Sequence, residues 1–334
     1  MFNDKTIFIT GGTGSFGKKF VQTILDRYKP RKLIIYSRDE HKQFDMQQMF
    51  TEECMRYFIG DVRDRDRLMQ VVNDVDYIIH AAAIKHVPVA EYNPMECIKT
   101  NINGAENVIQ VAIEKNVDRV IALSTDKAAN PSNLYGATKL ASDKLFVAAN
   151  TMVGKKRTRF SVVRYGNVVG SRGSVVPFFI KLLNEGCKSL PVTDPEMTRF
   201  WITLQQGVDF VLKNFQRMKG GEIFVPKIPS IRVVDLVEAM ANRGSYEVVG
   251  LRPGEKMHEL MCTSDDSRLT LEFEDHYVIK ASHHLGIVRL PDYSVNNLKE
   301  KGEPVEIGFE YHSGKNQRFL SPDEISALNR VAGF

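Results

Sequence analysis

Tyr135 and Lys139 bracket the run Tyr135-Gly136-Ala137-Thr138-Lys139, a Tyr-x-x-x-Lys pair. On a helix, such a pair shares one face. A free phenol keeps its proton until about pH 10, and a neighbouring ammonium favours the phenolate. The pair is therefore suited to accepting a proton from a hydroxyl group. Thr125 lies shortly upstream, at the end of Leu123-Ser124-Thr125, where its hydroxyl can hydrogen-bond the same oxygen. An acid and a base, Asp126-Lys127, follow it directly. Tyr-x-x-x-Lys is frequent by chance, so its meaning depends on what precedes it.

What precedes it is Thr10-Gly11-Gly12-Thr13-Gly14-Ser15-Phe16-Gly17, at the first junction between an apolar run and an amphipathic one. The spacing is G-x-x-G-x-x-G. Gly11 permits a tight turn, Gly14 lets backbone approach a pyrophosphate, and Gly17 allows close helix–strand packing. The helix N-terminus then presents N–H groups and a positive dipole end to phosphates. Thr13, Ser15 and Phe16 complete the loop as cofactor-binding candidates. A glycine loop alone is weak evidence; its position makes it a dinucleotide site.

The second apolar run ends in Tyr36-Ser37-Arg38-Asp39. A hydroxyl and a guanidinium suit a ribose 2′-phosphate, so Ser37 and Arg38, with Lys42 adding charge, favour NADP. Asp39 keeps NAD open. Asp61-Val62 is placed to meet the adenine, with the Asp61 carboxylate holding it, and the small Ala81-Ala82-Ala83 lets the middle of the cofactor lie on backbone. A nicotinamide beside Tyr135 would take hydride from the carbon whose hydroxyl loses its proton.

These residues need elements to hold them. Apolar runs at Thr6–Thr10, 32–36, Met55–Ile59, Tyr77–His80, 120–123 and 160–165 read as strands. Helical spacing runs from Ser15 to Tyr28, from Asn93-Pro94 to about Lys115, and from Leu134 to Ala149. Alternation of this kind gives parallel βαβ units with right-handed crossovers. The expected fold class is α/β: a Rossmann-type doubly wound parallel sheet over residues 1–166, and a smaller mixed α/β substrate-binding domain over 167–334 with an interleaved boundary. Glycines and prolines punctuate the second half, among them Gly170, Gly173, Pro177, Pro191 and Pro253.

The bulk numbers fit this picture. The chain has 334 residues, 43% apolar and 26% charged, with net charge +4. Basic residues are mixed with acids, and Lys155-Lys156-Arg157 with Arg159 reads as a solvated turn, so no nucleic-acid partner is expected. Cys54, Cys97, Cys187 and Cys262 form no metal-ligand spacing and read as reduced thiols. Neither the adjacent His283-His284 nor Met257-His258-Glu259, which lacks a second histidine, makes a metal site. No run reaches the ~18 apolar residues of a membrane span, and no signal peptide is evident, so a cytoplasmic protein is expected.

The glycine loop, Asp61, Ala81 to Ala83, Ser124-Thr125, Tyr135 with Lys139, and Arg164-Tyr165-Gly166-Asn167-Val168 resemble the extended short-chain dehydrogenase/reductase superfamily. The likeness sharpens at Lys85-His86-Val87-Pro88, Glu91-Tyr92-Asn93-Pro94, Ser124 to Lys139, Arg164 to Phe179, and Leu251 to Glu259. These are similar to the inverting UDP-N-acetylglucosamine 4,6-dehydratases, which open the route to pseudaminic-acid-type sugars. The likeness weakens after about Ser264, where Phe319 replaces an expected tryptophan.

The resemblance implies a mechanism. Tyr135 takes the 4-hydroxyl proton and NADP the C4 hydride. The ketone acidifies C5. Lys127, kept neutral by burial and the positive ring, removes the C5 proton, while Asp126 protonates the departing C6 hydroxyl. Hydride returns to C6, and a proton re-added on the opposite face inverts C5. Lys85, Asn167, Arg199 and Arg252, with Arg172 a further guanidinium, are candidates to hold the nucleotide-sugar. A homo-oligomer formed through helices flanking the sheet is also implied. Three alternatives stand beside this reading: a UDP-sugar 4-epimerase, which needs no Asp126-Lys127; an NADPH-consuming reductase; and a non-catalytic NADP(H) sensor, which needs no Tyr135 or Lys139.

Overall fold

The computed structural model describes residues 1–171, 173–241, 245–282 and 290–334. Arg172 and the His283-His284 pair lie outside the described residues. The first half alternates as expected: β1 (Thr6–Thr10), α1 (Ser15–Arg27), β2 (Lys32–Ser37), α2 (Glu40–Met49), β3 (Met55–Ile59), α3 (Arg65–Val71), β4 (Tyr77–His80), α4 (Val87–Tyr92), α5 (Pro94–Ile98), α6 (Gly104–Glu114), β5 (Arg119–Thr125), α7 (Leu134–Ala149) and β6 (Arg159–Tyr165). Its strands pair in parallel in the order β3-β2-β1-β4-β5-β6. All of β1 and β4 is buried, because helices cover both faces. Strand order reverses between β1 and β4, where an open α/β sheet forms its ligand crevice.

Two differences from the sequence reading have local causes. Helix α2 lacks an apolar stripe, burying only Gln43 and Met46; what starts it is Asp39, whose carboxylate accepts from the Lys42 N–H at 3.0 Å. The long helix expected from Pro94 is broken by a π turn over Lys99–Asn103 between α5 and α6. One extra residue per turn there swings Asn101 inward.

The second half holds β7 (Asn167–Val168), α8 (Val175–Asn184), β8 (Ser189–Val192), β9 (Thr198–Ile202), α9 (Leu204–Arg217), β10 (Ile223–Pro226), β11 (Ser230–Arg232), α10 (Val233–Ala241), β12 (Ser245–Val248), β13 (Leu260–Cys262), β14 (Thr270–Glu272), β15 (His276–Ile279), β16 (Glu303–Pro304), β17 (Tyr311–His312) and α11 (Pro322–Val331). Part of it returns to the main sheet. β10 pairs in parallel with β6, β15 runs antiparallel to β10, and β14 and β16 complete ten strands. Helix α9, started by a Thr203–Gln206 capping box, packs against α1. The rest forms its own core around Phe179, Trp201, Leu236, Val237 and Ile325.

Candidate active site

A cavity of about 930 Å³ opens at the carboxyl ends of β1, β2, β4, β5 and β6. Its walls bring together all of the cofactor candidates: Gly11, Thr13, Gly14, Ser15, Phe16, Gly17, Ser37, Arg38, Lys42, Asp61, Val62, Ala81 and Ala82. They also carry Thr125, Asp126, Lys127, Tyr135, Lys139, Lys85 and Asn167.

The glycine loop fits a phosphate for stated reasons. Gly11 has φ +65°, and a Cβ there would stand 2.9 Å from the Ala82 backbone. Gly17 differs from the expectation in its neighbour: a Cβ there would lie 2.1 Å from the Gly12 carbonyl oxygen, so it closes the loop on itself rather than on a strand. Gly14 caps α1 without any side-chain hydrogen bond, which leaves the helix entrance to a ligand. At the end of β2, Gln43 donates to the Ser37 hydroxyl oxygen at 3.1 Å and carbonyl oxygen at 3.0 Å, fixing Ser37 at the wall. Lys42 is ion-paired with Asp39. The Asp61 carboxylate, expected to hold adenine, is engaged by Arg63 through Nε at 2.9 Å and Nη2 at 2.6 Å, with Arg38 3.7 Å away. A buried Tyr36 hydroxyl donates to the Asp61 carbonyl at 2.8 Å.

Helix α7 begins at Asn133, whose side chain accepts from the Gly136 N–H, and carries Tyr135 and Lys139 on its buried face. The Lys139 ammonium donates to the Leu123 carbonyl at 2.8 Å. Burial pushes its pKa down, with Asp143 opposing. Burial pushes the Tyr135 phenol up to about 12; Lys127 and the Thr125 hydroxyl pull the other way. Lys127 is thus an ammonium acting on the phenol that the Tyr135–Lys139 spacing did not reveal. Thr125 also donates to Asp126 Oδ1 at 2.9 Å.

The charge on Lys127 is a correction. The sequence reading has it neutral through burial. Burial does act that way, but its Nζ lies 3.0 Å from Asp126 Oδ1 and 3.0 Å from Glu259 Oε1. The two carboxylates outweigh burial and raise its pKa above the ordinary lysine value. Glu259 is the site residue that sequence reasoning missed. It was visible within Leu251 to Glu259, but nothing local shows that β13 folds back to Lys127. Asn167 is half-buried with its Oδ1 unpartnered beside the cavity.

Two arginines are not brought to the cavity wall. Arg199 is buried behind it, donating to the carbonyls of Thr198 at 2.7 Å and Met257 at 3.1 Å. Arg252 projects outward with its side chain 74% exposed and pairs with Glu255 at 3.0 Å.

A family model described as polysaccharide biosynthesis protein matches residues 7–281. A relative from Campylobacter jejuni (serotype O:23/36, strain 81-176), named UDP-N-acetylglucosamine 4,6-dehydratase (inverting), is 62% identical over 335 residues, covering 100% of both chains. A Rickettsia canadensis relative named UDP-glucose 4-epimerase is 41% identical, covering 98% of this chain and 96% of its own. The solved structure of Pen from Bacillus thuringiensis superposes with TM-score 0.88 at 37% identity, covering 100% of this chain and 99% of that one. DesIV, a dTDP-glucose 4,6-dehydratase from Streptomyces venezuelae solved with NAD and TYD bound, shares the fold at TM-score 0.67 and 22% identity over 75% of this chain.

Proposed function

Because the chain belongs to the polysaccharide biosynthesis protein family, as a full-length relative of the inverting dehydratases, we propose that it converts UDP-N-acetylglucosamine to UDP-2-acetamido-2,6-dideoxy-β-L-arabino-hexos-4-ulose, losing water and inverting C5. The observation that carries this reading is the meeting of Asp126 and Lys127 with Tyr135 and Lys139 on one cavity wall. An epimerase has no use for that extra acid and base.

The glycine loop would hold a nicotinamide dinucleotide, which when bound would supply hydride acceptance at C4 and hydride return to C6. Ser37 and Arg38 make NADP the preferred form. Tyr135 receives the 4-hydroxyl proton, with Thr125 beside its oxygen. Lys127 takes the C5 proton, and Asp126 gives its own to the departing C6 hydroxyl. The anionic nucleotide-sugar is met by Lys85 and Asn167. Lys85 lines the cavity, where its side chain would meet the sugar. Arg199 acts from behind the wall, while Arg252 reaches substrate only if Glu255 releases it. The enzyme is cytoplasmic, works as a homo-oligomer and feeds pseudaminic-acid-type synthesis. Among the described residues no helix is long and apolar enough to cross a membrane.

The test is NMR of UDP-N-acetylglucosamine incubated with enzyme and catalytic NADP in deuterated water. The expected product has a C6 methyl, deuterium at C5 and the couplings of an L-arabino ring. A D-xylo ring would remove the inversion, and a C4 epimer without a methyl would make the chain an epimerase.

A further inference from the structure

The Lys127 ammonium lies between two carboxylates, 3.0 Å from Asp126 Oδ1 and 3.0 Å from Glu259 Oε1. Both acids are almost wholly buried, and each has one further oxygen, Asp126 Oδ2 and Glu259 Oε2, without a hydrogen-bond partner. Fully ionised, the three groups would bury one net negative charge, offset only by an Arg199 that Glu255 shares, and two bare oxygens, which is costly away from water. One extra proton neutralises them.

The surroundings say where that proton sits. Glu259 has a second cation, Arg199, with Nε at 3.9 Å, and Lys256 contributes positive potential while donating to the Ala129 carbonyl at 2.9 Å. Among the described residues Asp126 is hydrogen-bonded by the Thr125 hydroxyl and the Lys127 ammonium, shares the potential of Lys256, and has no arginine beside it. Burial accordingly raises the Asp126 pKa. At Glu259 burial acts the same way but is outweighed by Lys127 and Arg199, and the pKa is lowered. The other charged or titratable groups facing the cluster are Lys85 and Tyr135, with Glu255 beside Arg199. The arrangement that leaves the least uncompensated buried charge is therefore protonated Asp126, cationic Lys127 and anionic Glu259.

That arrangement has the acid that elimination needs and lacks the base. We propose that Glu259 is the proton acceptor for Lys127: as the sugar enters, the ammonium passes one proton to the Glu259 carboxylate, and Lys127 becomes a free amine while Asp126 keeps its own proton. The inference rests on the dehydratase reading. The count balances. Two protons stay on three groups, and the N–H bond broken at Lys127 is replaced by an O–H bond at Glu259. Sugar entry favours the transfer because excluding water disfavours an ion pair relative to its neutral form. Lys127 then takes the C5 proton as Asp126 protonates the C6 hydroxyl. Glu259 stands behind the cavity lining and is a positioning residue for a proton.

E259Q removes the acceptor at nearly constant shape. Only the Asp126–Lys127 pair with one shared proton can then supply both acid and base. Protonating that pair leaves Lys127 a cation with nowhere to discharge. Elimination by E259Q, read as methyl formation by NMR, should fall about tenfold per pH unit below the midpoint of the pair. Wild type should stay flat until pH drops below the ordinary glutamate range. Oxidation at C4, read as reduced-nicotinamide absorbance, should persist in E259Q. An E259Q profile of wild-type shape, at any overall rate, makes Glu259 merely structural and overturns the proposal. A second measurement needs no variant. With side-chain carbon-13 glutamate and a 6-deoxy analogue of the substrate, an isotope-shifted carboxylic-acid C=O band should appear in the infrared on binding. Its absence also overturns the proposal. If wild type forms no methyl, the dehydratase reading itself has failed, which neither of the other outcomes implies.

Discussion

The Asn101 side-chain nitrogen donates to the Thr138 hydroxyl oxygen at 3.0 Å and to the Ile84 carbonyl at 2.9 Å, while its Oδ1 accepts from the Ile84 N–H at 2.8 Å. One side chain from the π turn thus ties the loop after β4, which lines the cavity, to the helix that carries Tyr135. N101A leaves the partly buried Ile84 N–H and C=O unpaired. We expect a stability loss of about 2 kcal/mol, read from the urea midpoint, and a tenfold or greater fall in kcat at a temperature where the variant is fully folded. An unchanged kcat would show that the clamp is dispensable.

The proposed mechanism makes Asp126 the acid for the departing hydroxyl. D126N keeps the shape and cannot give up a proton as an acid. Methyl formation should fall by about 10²–10⁴-fold. C4 oxidation should continue, so reduced-nicotinamide absorbance accumulates on mixing with substrate. Rapid methyl formation by D126N would move the acid role elsewhere.

Arg38 should decide between cofactors. R38A removes the guanidinium at the end of β2, and NADP affinity should drop about tenfold, or ~1.4 kcal/mol, in a fluorescence titration. NAD affinity should change by no more than about threefold, because its ribose carries no 2′-phosphate. Equal losses for both would mean that Arg38 serves the loop through Asp61 instead.

Acid stability should centre on Arg217, whose side chain is fully buried against Asp275 at 2.7 Å and Glu300 at 2.7 Å. Burial acts to raise the Glu300 pKa, but Arg217 and Asn296 prevail and lower it from 4.5 to about 2. Asp275 is likewise held well below the usual carboxylate range, against burial, by His276, Arg217 and Lys213. A depressed folded-state pKa stabilises the fold above the unfolded value, and this is lost as pH falls through the folded one. The thermal midpoint should therefore fall between about pH 4.5 and about pH 2, and E300Q should show a shallower fall. Equal slopes would place the acid-sensitive charges elsewhere.

The sheet and its cofactor loop were legible because buried parallel strands leave continuous apolar runs, and because Gly11 and Gly14 mark the first crossover. Helix α2 was not, since Gln43 and Met46 are all that it buries. The Tyr135–Lys139 face followed from helical spacing alone. What spacing could not show was side-chain pairing: Glu259 reaching Lys127 from far along the chain, and Arg63 occupying Asp61 from two residues away. Arg252 looked like a phosphate ligand by type, yet its guanidinium is turned to Glu255 and solvent. Electrostatics depends on neighbours, and burial alone would give the neutral Lys127 that Asp126 and Glu259 together prevent.

The pairing of β10 with β6 has a further consequence. Until residue 223 is in place, β6 is the border of the growing sheet, with a row of unpaired backbone N–H and C=O groups. Such a border recruits any strand it meets, including one from another copy. A fragment stopped near Gly166 would keep the dinucleotide loop and the Tyr135 helix. It would also keep that sticky margin, and we expect it to aggregate rather than serve as a miniature cofactor-binding protein.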